Sequence, residues 1–216
     1  MMNVRRVGVV VGIALLALSS VSFAGVSYSG SMSSAVGMDV TGEKWLDPGL
    51  MLSWTITDTG LDYTWHYKYE FSNTHGKNIS HFILETSPNF SEDDIFNVKV
   101  GGEEFSDYNI DTWSGPSNPG MPEAVYGVKF NSSGPSYEFD THRLPVWGDF
   151  YIKDGGGYRA FDKGFVSPDT DPSDPPANGS LQNHILRPDS VAPGLPAIAL
   201  VGIAPVVGAW IHKRKR

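Results

Sequence analysis

The sequence contains no cysteine. That absence excludes disulfides, thiolate zinc sites, a cysteine nucleophile and an acylated-cysteine lipoprotein anchor. Basic residues are also scarce, with 16 Lys and Arg against 24 Asp and Glu and a formal net charge of −8. A nucleic-acid partner needs a basic face, so none is expected. Several catalytic and nucleotide signatures are missing as well. There is no phosphate-binding P-loop, and Gly155-Gly156-Gly157 precedes a short aromatic stretch rather than a helix. GxSxG, SxxK and HExxH do not occur. No cofactor is implied.

The chain does have apolar and aromatic material for one packed domain, at 40% and 12% of its 216 residues. The charges are unevenly placed. Residues 1–24 hold Arg5 and Arg6 and no acid, and residues 191–216 hold Lys213, Arg214, Lys215 and Arg216 and no acid. Setting these six bases aside leaves 10 bases against 24 acids in residues 25–190, a net of −14. The chain therefore divides into a basic start, an acidic body and a basic end.

The start has the three parts of a secretory signal. Arg5 and Arg6 precede an apolar run from Val7 to Leu18, and Ser22-Phe23-Ala24 puts small residues where a signal peptidase reads them. Residues 1–24 are expected to be removed between Ala24 and Gly25 by the secretion machinery and its signal peptidase. The end mirrors this arrangement. Arg187-Pro188-Asp189-Ser190 leads into an uncharged stretch, 191–212, expected to form a transmembrane-type helix, and then the basic tail 213–216. The 17 residues from Leu195 to Ile211 would make a helix roughly 26 Å long, at the short end for a span. The basic anchor Lys213–Arg216 predicts a cytoplasmic tail and places residues 25–190 outside the inner membrane.

The body reads as β structure. Leu61, Tyr63, Trp65, Tyr67, Tyr69 and Phe71 alternate with six polar residues, and Leu52, Trp54 and Ile56 do so before them, with Asp58-Thr59-Gly60 as the turn between. Further strands are expected at 79–86, 96–100, 124–130, 136–141, 146–153 and 159–165, separated by Gly-, Pro- and Asn-rich clusters. One helical turn is expected at Ser91–Asp94, where a capping Ser precedes three acids. The pattern predicts an all-β fold over 25–166, an antiparallel β-sandwich, jelly-roll-like or an open barrel, with one short helix. Residues 167–190, with five Pro and little apolar content, read as a linker that carries the sorting motif.

The tail resembles the PEP-CTERM sorting signal, in which a short Pro-acid motif, an apolar Gly/Ala-rich helix and an Arg/Lys-rich end close an exported protein. Here Pro188, Asp189 and Ser190 stand in place of Pro-Glu-Pro, closer to the Val-Pro-Asp-Ser-Gly variant of that signal. The resemblance implies an exosortase-like sorting enzyme as partner, a Gram-negative host that makes exopolysaccharide and biofilm, and a product at the cell surface or in its matrix. Without processing, the same residues form an inner-membrane anchor facing the periplasm. Phrases in the body resemble ones that recur in short exported proteins with this tail. They are Phe71–Thr74, Ile79–Glu85, the Gly/Pro-rich stretch from Ser114 to Pro122, Trp147–Tyr151, and Asn178-Gly179-Ser180 through His184-Ile185-Leu186. That resemblance implies export and a β-domain, with no activity attached.

Candidate chemistry in the body is sparse. Asp169, Asp171 and Asp174 put three carboxylates in one short loop, a calcium candidate, although the spacing is not that of an EF-hand. His66 and His81 are expected on adjoining strands, where they would pair as metal ligands if they met. Glu70, Glu85, Asp140 and Asp149 are carboxylates that the sequence alone does not pair for sugar hydrolysis. Trp113 and Trp147 lie near turns and are the sugar-binding candidates of a carbohydrate-binding module, the alternative to a non-catalytic surface or matrix protein. Binding of exopolysaccharide would be its role in that case.

Overall fold

The computed structural model describes residues 25–165 and 170–189. The signal segment, Asp169, Ser190, the apolar stretch 191–212 and the basic tail lie outside the described residues. Among the described residues no helix is long and apolar enough to cross a membrane.

In chain order the elements are β1 (Ser27–Ser33), β2 (Met38–Thr41), the one-turn helix α1 (Glu43–Leu46), β3 (Met51–Asp58), β4 (Trp65–Ser72) and β5 (Ile79–Glu85). After a 3₁₀ turn at Glu92–Asp94 come β6 (Phe96–Val100), β7 (Glu103–Glu104), β8 (Tyr108–Trp113), β9 (Val125–Phe130) and β10 (Ser136–Thr141). The last four are β11 (Pro145–Gly148), β12 (Phe150–Asp154), β13 (Arg159–Asp162) and β14 (Ile185–Pro188). One six-stranded sheet has the order β1-β3-β4-β10-β6-β7, a second has the order β2-β13-β12-β5-β9-β8, and β11 pairs with β14. Every pairing between these strands is antiparallel, so the described residues form an all-β, sandwich-like fold with one short α-helix.

The period of two explains which faces meet. Trp65, Tyr67, Tyr69 and Phe71 of β4 all point inward and are buried, while their polar neighbours face out. They meet the inner face of the second sheet in an aromatic layer. Tyr69 lies 5.3 Å from Phe82 between ring centroids, Phe82 lies 4.9 Å from Tyr137, and Phe130 lies 5.5 Å from Tyr137. Tilted and edge-on contacts of this kind add to the burial of large rings. The outer face of the second sheet is also covered, because Ile83 and Tyr151 pack with Met121, Val125 and Phe165.

The alternation expected from Leu61 begins four residues later. Asp62 and Tyr63 have positive φ, and residues 59–64 form a loop closed by the Thr59 amide donating to the Thr64 carbonyl at 2.9 Å. Leu61 is 71% exposed as a result. The strand expected at 146–153 is split at Asp149, between β11 and β12. The turn at Ser91 forms as a 3₁₀ turn, with the Ser91 amide and hydroxyl both donating to Asp94 Oδ2.

The segment read as a linker is the largest difference. Residues 170–189 lie on the sandwich and end in β14, where Ile185, Leu186, Arg187 and Pro188 are all buried. Tyr69 of β4 donates its hydroxyl to the Leu186 carbonyl at 2.7 Å, and the Asp189 amide donates to the Leu144 carbonyl at 2.8 Å. Proline content suggested a free spacer, but a four-residue strand with two apolar side chains suffices to dock when a partner strand is open beside it.

Candidate functional site

The docked segment closes over a cluster of charges. Glu85 ends β5, Asp149 sits at the break between β11 and β12, Asp162 ends β13, and Asp171, His184 and Arg187 come from the docked segment. Asp149 and Asp162 have no exposed surface, and the side chains of His184 and Arg187 have less than a tenth. Four carboxyl groups thus surround one guanidinium and one imidazole.

Arg187 organises one side. Its Nη2 donates to Asp171 Oδ2 and, at 3.2 Å, to Glu85 Oε1, while Nη1 donates to the Ser87 hydroxyl at 3.1 Å. Glu85 Oε2 accepts the Asp149 amide at 2.9 Å. His184 organises the other side. Its Nδ1 is 2.7 Å from Asp149 Oδ1, 3.7 Å from Asp171 Oδ1 and 3.9 Å from Asp162 Oδ2. Asp162 is held in place by the Phe150 amide, which donates to its Oδ1 at 2.9 Å.

Two glycines make room for this. A Cβ at Gly148 would lie 2.1 Å from Arg187 Nε and 2.6 Å from Glu85 Oε2. A Cβ at Gly164 would lie 2.7 Å from the His184 ring. All three distances are shorter than van der Waals contact, so a side chain at either position would displace Arg187, Glu85 or His184.

Burial dominates the electrostatics. It pushes Glu85 up to about 8, because the Arg187 charge only partly offsets the lost solvation and the charges of Asp171 and Asp149 add to the cost. Asp162 is raised well above the carboxylate range by burial and by Asp149 beside it. Asp171 is raised for the first of these reasons, against the pull of Arg187. Three carboxylate oxygens, Asp149 Oδ2, Asp162 Oδ2 and Asp171 Oδ1, are buried without a hydrogen-bond donor.

The sequence candidates separate in space. Of the three loop carboxylates, Asp171 turns inward to the cluster and Asp174 is exposed, so these two do not converge on one ion. Trp147 is 1% exposed and belongs to the main core, where its Nε1 reaches the Pro175 carbonyl at 3.4 Å. It presents no ring face for stacking on a sugar. Trp113 on β8 is half-buried, donates Nε1 to the Gly127 carbonyl at 2.8 Å and has Lys129 over its ring at 4.8 Å. The two tryptophans form no shared platform. His66 lies on β4 and His81 on β5, which belong to different sheets, so they do not pair.

His66 instead bonds Asp140 Oδ1 through Nδ1 at 2.7 Å, and Asn97 donates to Asp140 Oδ2 at 2.8 Å. These three residues line an open groove of about 690 Å³ that also includes Lys99, Phe105 and Ser106. Glu138 Oε2 lies 3.9 Å from His66 Nε2. Among the described residues no serine hydroxyl is hydrogen-bonded to that ring, so the groove contains a His–Asp pair and no assembled Ser-His-Asp relay.

Sequence reasoning missed Asp162 and the role of Arg187, and it left Glu85 and Asp149 unpaired. One signal did point here. Three of the recurring phrases, Ile79–Glu85, Trp147–Tyr151 and the stretch ending at His184-Ile185-Leu186, contribute Glu85, Asp149 and His184 to the same cluster.

No protein-family model, no curated protein and no solved structure matches this chain.

Proposed function

We propose that the chain is an exported, non-catalytic protein of the cell surface or extracellular matrix of a Gram-negative bacterium, sorted or anchored through its C-terminus. The observation that carries this reading is how close the last described strand comes to the motif. β14 runs to Pro188, and the Asp189 amide is still bonded to the Leu144 carbonyl. Pro188 and Asp189, the first two residues of the Pro188-Asp189-Ser190 motif, are thus bonded into the sandwich. A cut on the C-terminal side of Asp189 would leave β14 and the Asp189–Leu144 bond intact, whereas a cut before Pro188 would remove the buried last residue of β14 and that bond. The acidic balance of residues 25–190 suits a hydrated matrix, where net charge keeps proteins apart.

The jelly-roll-like form of the sandwich belongs to the same reading. It is supported by the chain crossing from the first sheet to the second after β4, back at β6, over again at β8 and back at β10. The carbohydrate-binding alternative has less support, since Trp147 is buried and Trp113 is bonded into its own sheet.

Two epitope tags test the reading. One goes into the exposed Gly155–Gly157 turn and one after Arg216. The cell-surface or released fraction is expected to carry the first tag and lack the second. Both tags persisting on one membrane-bound species would leave a plain tail anchor and reject sorting.

A further inference from the structure

We propose that Asp149, Asp162, Asp171 and His184 form a binding site for a divalent first-row metal ion, zinc or manganese, that ties the segment 170–189 to the sandwich. The argument begins with charge. Four carboxyl groups lie around one guanidinium, and Arg187 directs its Nη2 bonds to Glu85 and Asp171 only. Asp149 and Asp162 remain side by side, fully buried, with one oxygen each lacking a donor. Buried carboxylates need a counter-charge or a proton. A divalent ion provides the first.

The geometry suits such an ion. Asp149, Asp171 and His184 each offer a ligand atom, all within 4.8 Å of one another. Independently, Asp162, which has no solvent exposure, aims its donorless Oδ2 into the same space, 3.9 Å from His184 Nδ1. Two ligands each ~2.1 Å from one metal are at most ~4.2 Å apart. The separations of 2.7, 3.7 and 3.9 Å from His184 Nδ1 to the three carboxylates lie within that limit. Asp171 is the ligand with an exposed side, at 22%, and marks the way in.

The donor set chooses the metal. Calcium takes oxygen ligands at about 2.3–2.6 Å, whereas an imidazole beside carboxylates suits zinc or manganese. Asp149 comes from the break before β12, Asp162 from the end of β13, and Asp171 and His184 from the docked segment. Binding would therefore add stability by joining parts of the chain that lie far apart in sequence.

The competing arrangement is one proton shared between Asp149 and Asp162, and the test separates the two. The full chain in mild detergent is stripped with EDTA, dialysed, and titrated with ZnCl₂, MnCl₂ or CaCl₂ while heat of binding and melting temperature are recorded. One equivalent of zinc or manganese is expected to bind and raise the melting temperature. Asp162→Asn removes a ligand, and its amide donates to Asp149 where the shared proton was, so this variant is expected to fold while binding at least about tenfold more weakly. His184→Gln should lose affinity to a similar degree. The absorption spectrum of the Co²⁺-loaded chain should change in His184→Gln. Failure of zinc and manganese to bind overturns the proposal and leaves the shared proton. Equal binding by Asp162→Asn and wild type, or binding of calcium alone, also overturns it. None of these outcomes depends on whether the tail is cleaved.

Discussion

At the residue scale, burial rather than residue type decides what each ionisable group does. His81 illustrates it. The ring is buried against Tyr151, and burial together with the nearby charges of Lys129 and Lys153 lowers its pKa from 6.5 to about 3. In the unfolded chain the same imidazole takes up a proton near pH 6.5. Between those values the unfolded state binds one more proton than the folded state, so stability rises with pH across the window and falls as pH is lowered from 6.5 towards 3. The slope amounts to roughly 1 kcal/mol per pH unit once the unfolded histidine is mostly protonated. Replacing it by His81→Leu should flatten urea-unfolding free energies by about that amount per unit between pH 6 and pH 5. Parallel pH dependences for the variant and the wild type would show that His81 is solvated. In the sequence His81 and His66 looked alike as histidines in strand segments, and burial differences that depend on sheet assignment were not legible there.

At the element scale, legibility was best where an apolar pattern was bounded by clear turn residues. β6 and β10 match their expected ranges to the residue, and β3, β5 and β9 do so within two residues. Each carries apolar side chains along at least one face. β1 was not read because Ser27, Ser29, Ser31 and Ser33 give it little apolar content, with Tyr28 and Met32 facing inward. Leu61 and Tyr63 extended the β4 pattern by coincidence, since left-handed backbone at Asp62 and Tyr63 ends the strand regardless of alternation. β14 was hidden by its setting, four residues flanked by Pro- and Asp-rich chain. Its docking has a measurable energy. Leu186 has no exposed surface, so Leu186→Ala in the full chain should cost about 2–5 kcal/mol in chemical unfolding. A cost below about 0.5 kcal/mol, the ordinary range for a surface site, would return residues 170–189 to the status of a spacer.

At the scale of the whole molecule, the candidate site and the candidate sorting motif share one short stretch. His184 and Arg187 bind the charge cluster, and Pro188, Asp189 and Ser190 follow directly. The sequence held each of these residues in plain view, and the recurring phrases marked three of the six cluster members. It did not show that Asp162 would join them, because Asp162 meets Asp149 only after β12 and β13 pair and turn their ends together. A carboxylate is assigned to a site by what it faces, and that is a property of the assembled sheets. The division of charge was legible from composition alone, a basic start and end around a body of net −14. It is the division a chain needs if both ends are to be handled at a membrane and the middle is to stay outside.

The intact mass of the exported protein tests this account most directly. The account predicts a chain that begins at Gly25, retains Asp189, and has lost Trp210 and the basic tail from Lys213 to Arg216. A surface species whose mass still includes Trp210 and Lys213–Arg216 would contradict it.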